Sequence, residues 1–372
     1  MRYQHLKIEA VELYQSAIKL KEPFVISLGL LDHAENVIVV IRTDRGISGF
    51  GECSPFKTIN GESMATCFIV GHYLASALKE LNALNIEDCH KTMNAVIYGN
   101  ASIKSAFDIA LYDIASQNAE LPLYLFLGGS NSKELITDFT VSFGAPEKMA
   151  ADARKIVDRG FPVIKVKLGG SIETDIMRIA CIREAVGPEI PIRIDANQGW
   201  NTEDAIKILN ALDAFNIQHC EEPIARWNYT DLASIRAKSP IPIMADESCC
   251  DEHDAQRLIN LSSCDLFNVK LGKSSGFFRA MKIIKLAEQA NMKMQVGGFL
   301  ESRLGFTAAA HLALVSDNVI YYDFDTPLMF REDPVSGGIE YDSKGVVKIP
   351  DEIGLGAAMD AGYLSSLQHV IV

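Results

Sequence analysis

The sequence has no long apolar run and no excess of positive charge, and each absence excludes a class of protein. Across its 372 residues, no stretch approaches the ~20 consecutive apolar residues of a membrane span. Residues 1–9 contain no apolar segment of the kind found in secretory signal peptides, so we predict none. The net charge of −13 argues against nucleic acid or an anionic membrane as a partner. We therefore expect a cytoplasmic protein.

The eight cysteines form no pattern that indicates a disulfide framework or a metal site. They are scattered along the chain, only Cys249 and Cys250 are adjacent, and no pair has the CxxC spacing. Small buried thiols in a reducing compartment are the usual explanation for such cysteines. With 48% hydrophobic and 22% charged residues, the composition is that of a soluble globular protein, and the length allows one large or two ordinary domains.

The first 125 residues have the pattern of an α+β unit. Residues 37–41 form an apolar, β-branched run, and residues 47–53 return after a turn, so both segments are predicted strands. An apolar hairpin or loop at residues 21–31 precedes them. Residues 62–120 then change to Ala-rich amphipathic periods, which are typical of helices.

From residue 126 onward, strands and helices alternate with a spacing of about 26 residues, the length of one βα unit. The predicted strands cover residues 137–141, 163–167, 192–195, 217–221, 241–245, 266–270, 293–296 and 319–324. Eight evenly spaced strands favour a (β/α)8 TIM barrel over the alternative, a doubly wound open sheet. The last helix is missing or degenerate, so we predict a modified (β/α)7β barrel. We assign residues 1–125 to the α+β domain, 126–325 to the barrel, and 326–372 to a segment that returns to the N-terminal domain.

Charged side chains stand at the predicted carboxyl ends of the barrel strands, where barrel enzymes carry their active sites. Asp195, Glu221 and Asp246 come from three neighbouring strands. Three carboxylates, with water or substrate completing an octahedron, suit Mg²⁺. The same strand ends carry no histidine or cysteine, which disfavours zinc. The alternative is that the three acids are separate helix caps or turn formers.

Lysines flank this predicted metal site. Lys165 and Lys167 alternate onto one face of the second strand, and Lys270 ends the sixth strand, on the far side of the barrel. Two ammonium groups close to each other and to a cation should lower the pKa of one of them, so that a neutral lysine acts as a base. A base on each face of one carbon suits removal and return of an α-proton, with a metal stabilising the enolate. The alternative is that Lys270 only forms an ion pair with Asp246 or Glu247.

Taken together, these residues resemble a known family. The motifs Lys-x-Lys, Asp-x-Asn, Glu-x-Pro, Ala-Asp-Glu-Ser and Asn-x-Lys, in this order over the barrel, are similar to those of the muconate-lactonizing subgroup of the enolase superfamily. The resemblance covers essentially the whole chain and gives the N-terminal domain the role of a cap. It implies Asp195, Glu221 and Asp246 as ligands of one Mg²⁺ per subunit, with Lys167 and Lys270 as the acid/base pair.

The same resemblance implies supporting roles for neighbouring residues. Lys165 would steer the substrate carboxylate and tune Lys167, while Asn197 and Glu247 would support the metal ligands from outside the coordination sphere. The seventh strand runs into Gly297 and Gly298 and has no histidine at its end. This departs from the mandelate-racemase subgroup, which uses a His–Asp dyad as one base.

The end of the eighth strand distinguishes among members of the subgroup. Asp323-Phe324-Asp325 resembles the Asp-x-Asp motif of the dipeptide epimerases, such as the L-Ala-D/L-Glu epimerases. Two carboxylates on one face suit an α-ammonium group. The resemblance implies an isomerase that inverts the α-carbon of the second residue of a dipeptide, by two-base proton transfer through a metal-stabilised enolate. The alternative is that Asp325 only caps a turn.

Side-chain preference should depend on loops of the capping domain. Relatives that take acidic dipeptides are expected to carry an arginine where this chain has Gly29, and the surrounding residues that would contact substrate are apolar: Phe24, Leu28, Leu30 and Leu31. An apolar loop cannot neutralise a buried glutamate side chain. We therefore predict an apolar second residue, unless Lys57 points into the site.

Other functions use much of the same machinery. An o-succinylbenzoate synthase, a cycloisomerase or an N-acylamino acid racemase of the same subgroup would share the metal and the lysines but would bind no ammonium group. A non-catalytic barrel that serves as a binding module is an alternative from a different class. We also expect a homo-oligomer, because barrels of this kind often self-associate.

Overall fold

The N-terminal domain packs helices against an antiparallel sheet. The computed structural model describes residues 2–27 and 29–372. The first three strands are β1 (Ile8–Ile26), β2 (Gly29–Thr43) and β3 (Ser48–Cys53). They are followed by helices α1 (Met64–Leu78), α2 (Ile86–Val96) and α3 (Ala101–Ala119), and by a short helix α4 (Leu123–Phe126). Buried aliphatic side chains of β1 and β2 meet those of α1 and α3 in one core, as their alternating apolar pattern predicts.

Strands β1 and β2 form one long hairpin that reaches the barrel. Their pairing runs from Ile8 opposite Thr43 to Ile26 opposite Gly29. The apolar segment predicted as a hairpin or loop is the far end of this hairpin. There, the Phe143 N–H donates a hydrogen bond of 2.9 Å to the Val25 carbonyl, which fixes the hairpin against the barrel.

Strand β3 lies very close to helix α3 because two of its residues are glycines. A Cβ atom built on Gly51 would lie 1.9 Å from the Ala106 carbonyl oxygen, and one built on Gly49 would lie 2.0 Å from the Ala110 carbonyl oxygen. Real Cβ atoms cannot approach a backbone oxygen so closely. The Gly-x-Gly spacing therefore sets the distance between the sheet and this helix.

The second domain is a barrel of eight parallel strands and seven helices in the described part of the chain. After the two-residue strand β4 (Leu135–Ile136), its elements are β5 (Phe139–Val141), α5 (Pro146–Asp158), β6 (Ile164–Lys167), α6 (Ile172–Val186), β7 (Ile192–Asp195), α7 (Thr202–Leu212), β8 (Ile217–Glu221), α8 (Tyr229–Lys238), β9 (Ile243–Ala245), α9 (Glu252–Leu261), β10 (Leu266–Lys270), α10 (Phe277–Gln289), β11 (Lys293–Gly297), α11 (Arg303–Ala313) and β12 (Val319–Tyr322). Neighbouring strands pair in order from β5 to β12. A parallel bridge between Thr137 and Tyr322 joins the two ends of the sheet. A 3-10 turn at Thr326–Met329 stands where an eighth helix would follow, so the predicted (β/α)7β barrel with an α+β cap is confirmed.

The C-terminal segment adds short strands to sheets that begin elsewhere in the chain. Its elements are β13 (Val335–Gly337), β14 (Glu340–Tyr341), β15 (Val346–Lys348), β16 (Ala357–Met359), helix α12 (Ala361–Ser366) and β17 (His369–Ile371). Strand β17 pairs with β1, and β15 pairs with β4. The C-terminal segment thus contacts the N-terminal sheet through β17 and the range assigned to the barrel through β15, and the division at residues 1–125, 126–325 and 326–372 stays a prediction. Within the described residues, no helix combines the length and the apolar character needed to cross a membrane.

The close contact between β3 and α3 leads to a stability prediction. Gly51→Ala should lower the free energy of unfolding by about 1–3 kcal/mol, because the added methyl group overlaps the Ala106 carbonyl and forces the helix away. Gly144→Ala is the control, since its Cβ would only make ordinary contacts, the nearest at 3.7 Å from the Met149 side chain. In urea unfolding, the free energy of unfolding of the control variant should differ from that of the wild-type protein by less than about 1 kcal/mol. Equal stability of the two variants would contradict the close-packing explanation.

Candidate active site

The strand ends of the barrel bring carboxylates and ammonium groups together in a buried cluster. Lys167 of β6 lies opposite Asp195 of β7, and Asp195 lies opposite Glu221 of β8. Asp246 follows β9 directly, and Lys270 is the last residue of β10. All five side chains are buried, although they belong to residue types that are normally exposed. Such a cluster is stable only where its charges compensate one another.

Lys165 lies at the centre of the cluster. Its Nζ atom is 2.8 Å from Glu221 Oε2, 3.3 Å from Asp195 Oδ2 and 2.8 Å from Asp323 Oδ2. Only 1% of its side chain is exposed, and the three carboxylates balance its charge within the barrel. The predicted pairing of Lys165 and Lys167 on one strand face holds, because both ammonium groups contact the same oxygen of Asp195.

Lys167 and Lys270 lie at the two ends of the row of carboxylates. The Lys167 Nζ atom is 2.6 Å from Asp195 Oδ2. The Lys270 Nζ atom is 2.7 Å from Asp246 Oδ2 and 3.9 Å from Glu221 Oε1. Because β7, β8 and β9 separate β6 from β10, the two ammonium groups approach the carboxylates from opposite sides. Lys270 thus forms an ion pair with Asp246, and it also lies across the cluster from Lys167.

The ion pairs determine the protonation of the cluster. Burial alone would lower the pKa of Lys165, but the surrounding carboxylates outweigh it and hold this pKa well above its ordinary value. The pKa of Lys270 is raised for the same reason, chiefly by Asp246. Conversely, burial would raise the pKa of Asp195, but Lys167 and Lys165 hold it below its ordinary value. The pKa of neither Lys165 nor Lys270 is lowered, and these two lysines are counter-ions of the carboxylates.

The three carboxylates are not helix caps. The N-caps of the helices that follow their strands are Asn201, Asn228 and Asp251, and each of these side chains accepts a hydrogen bond from its own helix. The alternative interpretation of the trio as caps is therefore wrong. Asp325 occupies the N-cap position of the 3-10 turn, but its carboxylate accepts no capping hydrogen bond there.

Several side chains that support the carboxylates were not predicted as site residues. Asn268 Nδ2 donates to Glu221 Oε1 at 2.8 Å, and Gln295 Nε2 donates to Glu221 Oε2 at 3.3 Å. Lys273 Nζ lies 2.7 Å from Asp246 Oδ1, so lysines hold both oxygens of that carboxylate. Asn268 stands two residues before Lys270 on a strand that is otherwise apolar, and this spacing was the signal that could have identified it.

The chemistry of the predicted metal ligands suits a hard divalent cation, although their oxygen atoms do not all lie within 4.8 Å of one another in the structure. Asp195, Glu221 and Asp246 offer only oxygen atoms and come from adjacent strand ends, which is the ligand chemistry that Mg²⁺ prefers. Two buried oxygen atoms beside them, Asn197 Oδ1 and Glu247 Oε2, have no hydrogen-bond partner among the described residues. Buried oxygens without a partner are costly, and ordered water around a cation would supply the missing hydrogen bonds.

A second group of carboxylates lies where the barrel closes. Oxygen atoms of Asp138, Asp323 and Asp325 lie within 4.8 Å of one another, and no other group of three acids, cysteines or histidines in the described residues is so close. Arg193 Nη1 contacts Asp138 Oδ2 at 2.7 Å, and the Thr140 N–H donates to Asp325 Oδ2 at 2.6 Å. Burial, together with the neighbouring charge of Asp323, raises the pKa of Asp325 to about 7. The group therefore has an excess of negative charge that an additional cation would relieve.

Asp138 was not predicted as a site residue. It lies directly before β5, inside the range predicted as the first barrel strand, and is fully buried. The available signal was a charged residue, Asp138, within a segment predicted to be a buried strand. Its partner Arg193 lies on β7, and its side chain reaches Asp138 across the intervening strand β6.

The cavity above the cluster has apolar walls. Its lining from the cap and the adjoining loops includes Phe24, Ile26, Leu31, Phe56, Ile59 and Phe299. Lys167, Lys270, Asp323 and Asp325 contribute the charged part of its lining. Phe24, Ile26 and Leu31 of the predicted apolar segment thus face the charged strand ends, whereas Leu30 is 62% exposed and does not line the cavity.

Other predicted cap residues lie away from the cavity. Gly29 is exposed at the tip of the hairpin, and a Cβ atom built there would meet nothing within 4 Å. Lys57 is also exposed and pairs with Glu35 at 3.3 Å, so it does not point into the cavity. Leu28 lies outside the described residues.

Comparison with known families agrees with this geometry. The profile described as "Mandelate racemase / muconate lactonizing enzyme, N-terminal domain" matches residues 8–128. The profile described as "Enolase C-terminal domain-like" matches residues 148–363. The two matches together span the cap and the barrel.

Individual relatives are similar over almost their whole length. The D-Ala-D/L-Ala epimerase of Cytophaga hutchinsonii is 60% identical, with 98% of this chain and 99% of the relative covered. The hydrophobic dipeptide epimerase of Enterococcus faecalis is 39% identical, with 94% and 99% covered. The crystal structure of the dipeptide epimerase from Cytophaga hutchinsonii complexed with Mg and the dipeptide D-Ala-L-Val matches with a TM-score of 0.98 at 60% identity, covering 98% of this chain and all of that one.

Proposed function

Because this chain belongs to the mandelate racemase / muconate lactonizing enzyme family of the enolase superfamily, we propose that it is a Mg²⁺-dependent dipeptide epimerase. It is an isomerase that inverts the α-carbon of the second residue of a dipeptide. The observation that carries the proposal is the arrangement of one cavity: two lysines on opposite sides of three carboxylates, with a second carboxylate pair beside them. Each part of a dipeptide has a chemically matched group in this arrangement.

Asp195, Glu221 and Asp246 are the residues that would hold the Mg²⁺ ion. When bound, the ion supplies positive charge that stabilises the negative charge developing on the substrate carboxylate as the α-proton leaves. Asn268 and Gln295 hold the orientation of Glu221, and Lys273 holds that of Asp246, so these two carboxylates are fixed before an ion binds. Asn197 and Glu247 support the site through their mutual hydrogen bond of 3.3 Å.

Lys167 and Lys270 are the proposed acid/base pair. One neutral amine takes the α-proton on its Nζ atom, and the ammonium group of the other lysine delivers a proton to the opposite face of the same carbon. The carbon is inverted, no proton is gained or lost overall, and the two lysines exchange their protonation states. Positions on opposite sides of the carboxylate row suit this two-sided transfer.

Asp323 and Asp325 are the proposed receptor for the α-ammonium group of the substrate. Asp325 is held by the Thr140 N–H, and burial and Asp323 raise its pKa to about 7, so a positively charged group placed beside it would favour its ionised form. Lys165 bridges this receptor and the metal ligands, because it contacts Asp323, Glu221 and Asp195 together. We assign to Lys165 the roles of steering the substrate carboxylate and tuning Lys167.

The side chain of the second residue is proposed to be apolar. The walls formed by Phe24, Ile26, Leu31, Phe56 and Ile59 carry no cation that could pair with a glutamate side chain. The names of the two relatives, D-Ala-D/L-Ala epimerase and hydrophobic dipeptide epimerase, support the same preference. D-Ala-L-Ala is therefore the first substrate to test.

We propose a cytoplasmic location and a homo-oligomeric state. All eight cysteines are free, which suits a reducing compartment. Helix α1 contains no charged residue, yet exposes Ile69 by 56% and Tyr73 by 54%, which supports self-association through this face. Sedimentation velocity measures the oligomeric state directly, and a monomer at all concentrations would reject this part of the proposal.

Deuterium uptake tests the proposed chemistry. In D₂O with Mg²⁺, D-Ala-L-Ala should lose the α-proton signal of its second residue in the NMR spectrum while D-Ala-D-Ala appears. Chelation should stop both processes, and added Mg²⁺ should restore them. Lys167→Ala should slow epimerisation by about 10²–10⁴-fold, whereas Lys155→Ala, at an exposed lysine, should leave it unchanged. Absence of exchange with every dipeptide tested would reject an epimerase.

Blocking the substrate amine tests the proposed receptor. Wild-type protein should prefer the free dipeptide over its N-acetyl derivative, because an uncharged amide cannot form an ion pair with Asp325. Asp325→Asn should reduce kcat/KM for the free dipeptide by about 10–150-fold, the value of a charge-assisted hydrogen bond of about 1.5–3 kcal/mol. The reaction with the N-acetyl dipeptide should change much less. A preference ratio that stays the same in the variant would favour the N-acylamino acid racemase or lyase alternatives.

Competition between dipeptides tests the side-chain preference. With first residue and conditions held constant, kcat/KM for a Val or Leu second residue should exceed that for Glu, since burying the glutamate carboxylate without a partner is unfavourable. Ile26→Arg, which adds a cation to the wall, should reduce or reverse the difference. Faster turnover of the glutamyl dipeptide by the wild-type protein would contradict an apolar pocket.

A further inference from the structure

We propose that Phe299 is a positioning residue for Lys270 alone, so that it controls proton transfer on one face of the substrate and not on the other. The inference rests on the proposed two-base epimerisation and adds a residue to it. Phe299 lies in the loop that follows β11, and it lines the same cavity as both lysines. It is not charged and takes no part in the proton transfer itself.

The ring of Phe299 bounds the ammonium group of Lys270. The Lys270 Nζ atom lies 5.0 Å from the ring centroid, within the range of a cation–π interaction. The same Nζ atom is held by Asp246 Oδ2 at 2.7 Å. Together, the ring and the carboxylate limit the positions that this flexible side chain can take.

The ring is itself fixed by its surroundings. The Phe299 N–H donates to Glu301 Oε2 at 2.5 Å, and Thr326 Oγ1 donates to the Phe299 carbonyl at 3.0 Å. Gly272, two residues after Lys270, leaves space for the ring, since a Cβ atom there would lie 3.3 Å from Phe299 Cδ2. Only 7% of Phe299 is exposed, so the ring has little freedom to move away from Lys270.

Lys167 has no equivalent of Phe299. Its ammonium group is held by Asp195 at 2.6 Å, and it lies over no aromatic ring among residues 2–27 and 29–372. The two bases are thus confined in different ways, one between a carboxylate and a ring and the other by a carboxylate alone. Loss of the ring should release only Lys270, and proton transfer is sensitive to small displacements of the reacting atoms.

The different confinement of the two lysines should change the α-proton exchange rates of the two epimers unequally, an effect that the overall rate of epimerisation would not reveal. In D₂O, each epimer exchanges the α-proton that faces its own lysine, because that lysine can remove the proton and return a deuteron. Epimerisation needs both lysines, so a defect in Lys270 slows it in both directions. Exchange without inversion, in contrast, should slow only for the epimer whose α-proton faces Lys270.

The experiment compares the exchange rates of the two epimers, measured separately at early times. Phe299→Leu should reduce exchange of one epimer by about tenfold or more and that of the other by less than about twofold. Phe299→Tyr keeps the ring face and should restore the lost rate. Lys270→Ala identifies which epimer depends on Lys270. Phe56→Leu is the matched control: Phe56 lines the same cavity, 6.0 Å from Phe299, and its loss should affect both epimers equally.

An equal decrease for both epimers in Phe299→Leu, in protein with an unchanged melting temperature, would overturn the inference and make Phe299 a simple cavity wall. So would failure of Phe299→Tyr to restore the rate. Should the leucine variant not fold, Phe299→Met provides a second test that removes the ring while keeping much of its volume. If neither epimer exchanged its α-proton in the wild-type protein, the epimerase proposal itself would be rejected. Failure of that proposal is therefore distinguishable from failure of the Phe299 inference.

Discussion

The structure depends on the compensation of buried charge at the strand ends of the barrel. Asp195, Glu221 and Asp246 are fully buried, and two ammonium groups, those of Lys165 and Lys270, bridge them. Acids and bases hold one another in place, so removal of any one group leaves a neighbour with an uncompensated charge. Such a cluster has little value for stability compared with an apolar core of the same size. The proposed function accounts for the cluster, because a cation and a charged substrate would use the same groups.

The cap and the barrel form the site jointly. The barrel supplies the charged strand ends, and the cap supplies hydrocarbon walls through Phe24, Leu31 and Phe56. Glu52 of β3 fastens the two together, since its carboxylate accepts hydrogen bonds from Ser302 and Gly305 beyond the loop that carries Phe299. Under the proposed function, the barrel would carry the reaction and the cap would set the side-chain preference.

Much of the fold was predictable because the spacing of apolar segments is regular. The strands ending at Lys167, Asp195, Glu221 and Lys270 were predicted to within a residue, since each is a short segment that begins with an aliphatic residue and ends in a charge. Asp138 was not predicted as a site residue, because its importance arises only from the closure of the barrel beside Asp323 and Asp325. The exposure of Gly29 was also beyond prediction, because the hairpin of β1 and β2 is much longer than local patterns indicate. Sequence periodicity predicts which residue lies at the end of a strand, but the packing of strands that are distant in sequence determines which side chains that residue contacts.

The position of the bound ion tests the account most directly, because the protein offers two groups of carboxylates. Crystals grown with Mn²⁺ in place of Mg²⁺ would locate the ion by its anomalous scattering. We expect a single ion bound by Asp195, Glu221 and Asp246, with the Nζ atoms of Lys167 and Lys270 on opposite sides of the cavity next to it. An ion bound instead by Asp138, Asp323 and Asp325 would contradict the assignment of metal site and amine receptor. So would an ion with both lysines on the same side.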